Sequence, residues 1–175
     1  GKACAVKFAA YGADVIMVDI NKDVLEKSAA EVAEKYGVKT YAYAGITVAK
    51  HMIDLAPNEW ERVININLRG IWYLSQLFAK QLRDSDKKKG NIVSISSQAS
   101  KIGESANGVY SISKAGINSL TQVLGLEYAE YGISVSAVCP GYVNTEMVQE
   151  VFQKRSLVEG KTPEEYEKEL TSGVA

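Results

Sequence analysis

The chain has 175 residues, a formal net charge of −1 and 46% hydrophobic residues, enough for one domain with its own core. The balanced charge excludes the chain-wide basic field that nucleic acid selects. Two cysteines and one histidine exclude a disulfide framework, a multi-histidine zinc site and a His-based triad. No apolar run nears the ~18 residues of a membrane span, and no secretory leader is visible, so the expectation is a reducing, cytoplasmic setting without membrane or nucleic-acid partners.

Lys2 to Tyr11 reads as a helix stopped by Gly12, with Ala3, Val6, Ala9 and Ala10 toward a sheet. Asp14 to Asp19 is a nearly continuous apolar strand, the mark of a parallel sheet covered on both faces. Asn21 caps a helix running to Tyr36, with Gly37 just past its end. A strand over Lys39–Tyr43 follows. Pro57, a favoured first helical residue, opens a long helix reaching Leu82. A strand from Gly90 to Ser96, a helix from Val109 to Tyr131 and a strand from Ile133 to Cys139 complete the pattern. This alternation predicts an α/β fold, a Rossmann-type doubly wound parallel sheet in three layers, α/β/α. The helix from Val109 carries two apolar stripes where a sheet needs one. Ile112, Leu120 and Val123 are expected on the sheet, and Ile117, Leu124, Tyr128 and Tyr131 against a partner subunit or a second element.

The chemistry concentrates at Tyr110 and Lys114. Four apart on a helix, a phenol and an ammonium share one face. A cation beside it pulls a tyrosine's pKa down from ~10, which suits proton exchange with an alcohol or carbonyl oxygen. Ser97 ends the β-type run before this helix and brings a hydroxyl to the sheet edge. Tyr and Lys at this spacing also occur on ordinary helix surfaces. The serine, the glycines before the helix and the Cys139-Pro140-Gly141 turn raise the pair above that background.

Together these residues resemble the short-chain dehydrogenase/reductase family. Its pattern has an asparagine in a helix, a serine ending a strand, Tyr-x-x-x-Lys, and Pro-Gly with a threonine four positions beyond the glycine. Here these are Asn67, Ser97, Tyr110 with Lys114, and Pro140-Gly141 with Thr145. The resemblance spans nearly the whole chain and places it nearest the polyol branch, including sorbitol-6-phosphate dehydrogenases. It implies Asn67, Ser97, Tyr110 and Lys114 as catalytic residues, with Asn67 holding a water that connects Lys114 to solvent. Asn65 competes for that role but lies off the same helical face.

Two departures stand out. The family's Thr-Gly-x-x-x-Gly-x-Gly loop is absent, and Gly1-Lys2-Ala3 looks like its last glycine and the helix after it. The strand through Tyr43 runs directly into Ala44-Gly45-Ile46, the tail of the family's Asn-Asn-Ala-Gly motif, where the family has a further helix and strand. The chain also stops before the family's closing helix and strand. The expectation is a single dinucleotide-binding and catalytic domain over 1–175, part of a longer chain, with a segment wanting between Tyr43 and Ala44.

Gly1 is expected at the pyrophosphate. Asp19, eighteen residues beyond, matches the acidic residue that accepts hydrogen bonds from the adenine ribose. That favours NAD over NADP, although a strand-end aspartate also caps turns. Ile20 is then expected at the adenine, and Ala44, Gly45, Tyr110, Lys114, Pro140, Gly141, Val143 and Thr145 along the rest of the cofactor. No metal is expected. The expected reaction is reversible hydride transfer between a small-molecule secondary alcohol, a polyol or sugar-alcohol phosphate, and NAD. An NADPH-dependent acyl-carrier-protein ketoreductase and a non-catalytic dinucleotide sensor stay open as alternatives. Residues 151–170 are expected as a lid whose Lys154, Arg155 and Lys161 either meet a phosphate or stay solvated. Assembly as a homo-oligomer, a dimer or tetramer, is what the resemblance implies.

Overall fold

The computed structural model of the chain describes residues 2–11, 15–18, 22–38, 40–43, 45–86, 89–142 and 146–172. They form two compact units, 1–46 and 47–175, each holding one pair of parallel strands.

The first unit runs α1 (Lys2–Ala10), β1 (Val15–Val18), α2 (Lys22–Tyr36) and β2 (Thr40–Tyr43). β1 and β2 pair in parallel from Val15↔Thr40 to Val18↔Tyr43, and α2 supplies the crossover that parallel neighbours require. Ala5, Met17, Leu25 and Ala29 form the core, with Val15 packed against it. Among the described side chains of α1, Ala5 and Ala9, one turn apart, are buried, and Ala10 is exposed, not on the sheet as expected. Gly37 closes α2 at φ +65°, donating its N–H to the Ala33 carbonyl at 2.9 Å. The left-handed backbone there is what glycine tolerates best. Gly1, Asp14, Asp19, Ile20, Asn21, Ala44, Val143 and Thr145 lie outside the described residues.

In the second unit α3 (Pro57–Ile64) continues through one wider, π-type turn (Asn65–Arg69) into α4 (Gly70–Arg83). The single long helix expected from Pro57 is therefore present but interrupted. β3 (Gly90–Ile95) pairs in parallel with β4 (Ile133–Val138), from Gly90↔Ile133 to Ile95↔Val138, with α5 (Gly108–Glu127) as the crossover. The expected helix to Tyr131 ends four residues earlier. Gly132, at φ +71°, donates to the Ala129 carbonyl and turns the chain into β4. Two further helices follow, α6 (Glu146–Glu159) and α7 (Pro163–Thr171). Among the described residues no helix is long and apolar enough to cross a membrane.

α5 reverses the expected stripes. Ile117 and Leu124 are buried, while Ile112 and Val123 are each 45% exposed. The cause is close approach to the π turn. A Cβ added at Gly116 would lie 2.7 Å from Leu68 Cδ2, so Ser113, Ile117 and their neighbours are closed off on that side. Tyr128 and Tyr131 are also spoken for, packing on the Ala79, Leu82 and Ile133 core.

Candidate active site

Strand pairing places Ser97. The β3–β4 ladder continues past Ile95, with Ser96 N–H donating to the Val138 carbonyl at 2.7 Å and Gln98 N–H to the Pro140 carbonyl at 2.9 Å. Ser97 thus leaves the sheet beside Pro140-Gly141, two sequence-predicted segments brought to one strand end. Its hydroxyl oxygen accepts from the Ala99 N–H at 3.2 Å. Behind it, Asn118 Nδ2 donates to Ser100 Oγ at 2.6 Å, and Ser100 Oγ in turn donates to the Ser97 carbonyl. The half-buried Cys139 thiol donates to Asn118 Oδ1 at 3.5 Å.

Two bonds staple α5 to the same strand end. Ser96 Oγ donates to the Lys114 carbonyl at 3.0 Å, and Lys114 Nζ donates to the Ile95 carbonyl at 2.9 Å. With Lys114 fixed on β3, the residue one turn earlier falls next to Ser97. The Ser97 hydroxyl lies close enough to the Tyr110 oxygen to favour its ionised form. The three expected residues therefore meet.

Their electrostatics differ from expectation. Burial pushes the Tyr110 phenol above its ordinary pKa; the Ser97 hydroxyl opposes this and the Glu104 charge adds to it. Lys114 does not depress it, because Nζ is turned to the Ile95 carbonyl and lies 5.5 Å from the centre of the tyrosine ring. Lys114 itself is 7% exposed, and burial without a carboxylate partner among the described residues lowers its pKa to about 8. In this state the phenol is neutral, and the amine is the group nearer to titrating.

Asn67 lies in the π turn and is buried, whereas Asn65 is exposed. Its Nδ2 donates to Ser113 Oγ at 3.1 Å, and that hydroxyl donates to the Tyr110 carbonyl at 2.7 Å. Single π turns inside helices concentrate at functional sites, and the sequence around Asn65 and Asn67 carried no sign of this one.

The lid residues change role. Arg155 is 2% exposed and pairs with Glu104, Nη1 to Oε2 at 2.8 Å. Its Nη2 donates to the Ser105 carbonyl at 3.0 Å. Lys161 pairs with Glu169, and Lys154 lies 3.8 Å from Glu150. Of the three, Arg155 is buried and paired, while the two lysines sit in exposed surface pairs, in keeping with solvated side chains. Glu104, Asn107 and Tyr142 were missed by the sequence reading; a lone glutamate in a glycine-rich loop has no periodicity to mark it. Among the described residues no group of three or more His, Cys, Asp or Glu gathers for a metal.

A family model described as short chain dehydrogenase matches residues 40–156. A (3R)-3-hydroxyacyl-CoA dehydrogenase of Canis lupus familiaris is 34% identical over 83% of this chain and 55% of its own length. An acetoacetyl-CoA reductase of Synechocystis is 38% identical over 69% of this chain and 50% of its own. The chain thus spans about half the length of the curated relatives it matches. Among solved structures, NAD+-bound xylitol dehydrogenase superposes with a TM-score of 0.82 at 25% identity, over 99% of this chain and 80% of that one. A sorbitol-6-phosphate 2-dehydrogenase from Erwinia amylovora gives 0.79, 25%, 99% and 80%. An actinorhodin polyketide ketoreductase with NADPH gives 0.79, 25%, 99% and 77%. The Rossmann-type α/β fold with its parallel sheet is shared with these proteins.

Proposed function

This chain belongs to the short-chain dehydrogenase family, and on that premise we propose that it catalyses reversible hydride transfer between a secondary alcohol and a nicotinamide cofactor. The observation that carries the reading is that Ser97 acts on the Tyr110 phenol while the buried Lys114 amine, one turn along and without a carboxylate partner among the described residues, lies 5.5 Å from the centre of the same ring.

Lys114 has three N–H donors and gives one to Ile95. A buried cation with two donors to spare and no carboxylate beside it among the described residues fits the hydroxyls of a nicotinamide ribose. When bound, the cofactor supplies the hydride acceptor or donor. Tyr110 O–H gives its proton to a carbonyl oxygen during reduction and recovers it from the hydroxyl during oxidation. Ser97 donates to that same oxygen and stabilises the charge developing on it. Asn67, by analogy with the family, holds a water behind Lys114. Because burial keeps the phenol protonated, reduction proceeds at neutral pH, and alcohol oxidation accelerates as pH rises.

NAD over NADP rests on Asp19, a carboxylate that repels a 2′-phosphate. For the alcohol, a polyol is supported by the likeness to xylitol and sorbitol-6-phosphate dehydrogenases, and a 3-hydroxyacyl thioester by the curated relatives. The burial of Arg155 against Glu104 removes one cation that a sugar phosphate could have used. The protein is proposed as a cytoplasmic homo-oligomer, a dimer or tetramer; the exposed Trp72, Tyr73 and Leu77 of α4 and Ile112, Val123 and Leu126 of α5 supply apolar surface. We further propose one catalytic domain with a helix and strand wanting between Tyr43 and Ala44. A peptide from the natural protein running unbroken through Tyr43-Ala44-Gly45 rejects that.

The deciding experiment follows reduced-nicotinamide absorbance with NAD+ or NADP+ against xylitol, sorbitol 6-phosphate and 3-hydroxybutyryl-CoA. Turnover with NAD+ and one of these is expected. Cofactor binding without oxidation of any alcohol instead makes the protein a dinucleotide sensor.

A further inference from the structure

Glu104 collects donors from three elements. Its Oε2 accepts from Arg155 Nη1 of α6 and from Asn107 Nδ2, each at 2.8 Å, and its Oε1 accepts from the Tyr142 hydroxyl at 2.8 Å. Asn107 is the residue that opens α5, three positions before Tyr110, and Tyr142 follows Gly141 directly. Asn107 Oδ1 is taken as well, accepting from Thr47 at 2.7 Å. The asparagine amide is therefore spent on holding loops together instead of capping its helix, and Ala106 beside it sits at φ +53°, a strained conformation for a residue with a side chain.

The lid side is equally committed. Phe152, 2% exposed, meets the Tyr142 ring edge-on at 5.3 Å and the Tyr166 ring at 6.1 Å. The Arg155 guanidinium lies 5.2 Å from the centre of Tyr166. α6 thus rests on the segment around Glu104, and α7 rests on α6. A buried ion pair is a poor way to gain stability, since well-packed apolar side chains of similar volume often do as well. What it fixes is position, and here the positions fixed are the start of the Tyr110 helix, the Pro140-Gly141 segment and the lid.

We propose that Glu104 is a positioning residue for the substrate: through Arg155 it docks the lid helices α6 and α7 at one fixed place beside Tyr110, making the lid a preassembled wall of the alcohol site. The proposal rests on the hydride-transfer reading above for its kinetic part, and on the fold alone for its structural part.

The test compares the intact protein with Glu104→Gln, Arg155→Met, the double variant and Tyr142→Phe. The kinetic arm uses whichever of xylitol and 3-hydroxybutyryl-CoA the parent oxidises. Each charge-removing single variant should raise KM for the alcohol about tenfold or more, with KM for NAD+ within about twofold of the parent. The double variant, in which the pair is already broken by either change, should lose no more than the worse single variant. Tyr142→Phe keeps the ion pair and folds in any case; it should raise the alcohol KM about two- to threefold. The second arm, amide hydrogen exchange, needs no substrate. Exchange over 146–171 should speed up about tenfold in the single variants, with 57–83 unchanged. Unchanged alcohol KM, equal rises in both KM values, losses that multiply in the double variant, or an unaltered lid exchange each overturn the proposal. If the parent turns over nothing, the hydride-transfer reading fails while the exchange arm still decides the docking.

Discussion

Lys114 and Arg155 are both buried cations, 7% and 2% exposed, and the protein treats them in opposite ways. Arg155 is given a carboxylate, a carbonyl and an aromatic face. Lys114 is given one carbonyl and the side of a tyrosine ring. The first is compensated and serves as a fastener. The second is left electrostatically incomplete, and burial alone lowers its pKa to about 8. An uncompensated buried charge costs stability, so the fold tolerates it where something outside the protein completes it. The difference between a structural and a functional cation is thus read in its partners, not in its burial.

The largest expected effect tests the functional side. Tyr110→Phe removes the proton that the proposed reaction exchanges and should lower kcat by about 10²–10⁴-fold, while NADH binding, followed by fluorescence, stays near that of the parent. Parent-like turnover in this variant would show that the incomplete charge at Lys114 serves something other than acid–base chemistry.

On the fastening side, Arg155→Met strands the Glu104 carboxylate, which is 9% exposed. Removing one partner of a buried pair typically costs roughly 3–5 kcal/mol. The Tyr142 and Asn107 donors still reach Glu104, which places this variant near the lower end. The urea midpoint should fall accordingly, and replacing Glu104 by Gln in the same chain should restore part of it. A midpoint indifferent to Arg155 would mean that the two cations do not differ in the way described.

Proton linkage separates the two cations further. The folded-state pKa of Lys114 is about 8 against an ordinary 10.5. Between those values the unfolded chain binds the extra proton, so this group makes stability rise with pH across that window. Its penalty, about 3 kcal/mol by the free energy of a pKa unit, is fully present below pH ~8 and gone above pH ~10.5. Lys114→Met should raise stability at neutral pH and flatten the alkaline rise in urea midpoint. Cofactor binding should weaken in the same variant, because the two unused donors are lost. A parent midpoint that does not climb through this window counts against an uncompensated Lys114.

Legibility in the sequence divides along similar lines. Ser97, Tyr110 and Lys114 were readable because strand alternation and helix spacing fix direction, and the structure joins them through Ser96, Ile95 and the β3–β4 ladder. The parallel strand pairs and their crossover helices were equally readable from apolar runs and glycine stops. The sides of α5 were not. Which stripe is buried depends on Gly116 admitting Leu68, a contact between residues 48 positions apart in sequence. The π turn at Asn65–Arg69 escaped because a helix with one extra residue per turn keeps nearly the same residue pattern. Arg155 was read as either meeting a phosphate or staying solvated, because a cation on a lid looks solvated until its acidic partner, in a loop far upstream, is known.

The smallest effect probes whether the lid depends on the Arg155 fastener or on its own helices. Thr162 opens α7 by accepting the Glu165 N–H at 3.2 Å, and the Glu165 carboxylate accepts the Thr162 N–H at 2.9 Å, a reciprocal cap with Pro163 at the first helical position. Thr162→Ala removes one of those bonds and should cost about 1 kcal/mol of local stability. Both residues are exposed, so no buried group is orphaned and the global urea midpoint should move by less than the Arg155→Met shift. Faster amide exchange confined to 162–171, with 146–159 unchanged, would mean that the ion pair alone holds α6. Exchange spreading through α6 would instead make α7 part of the same fastening, with Tyr166 and Phe152 carrying the disturbance to Arg155.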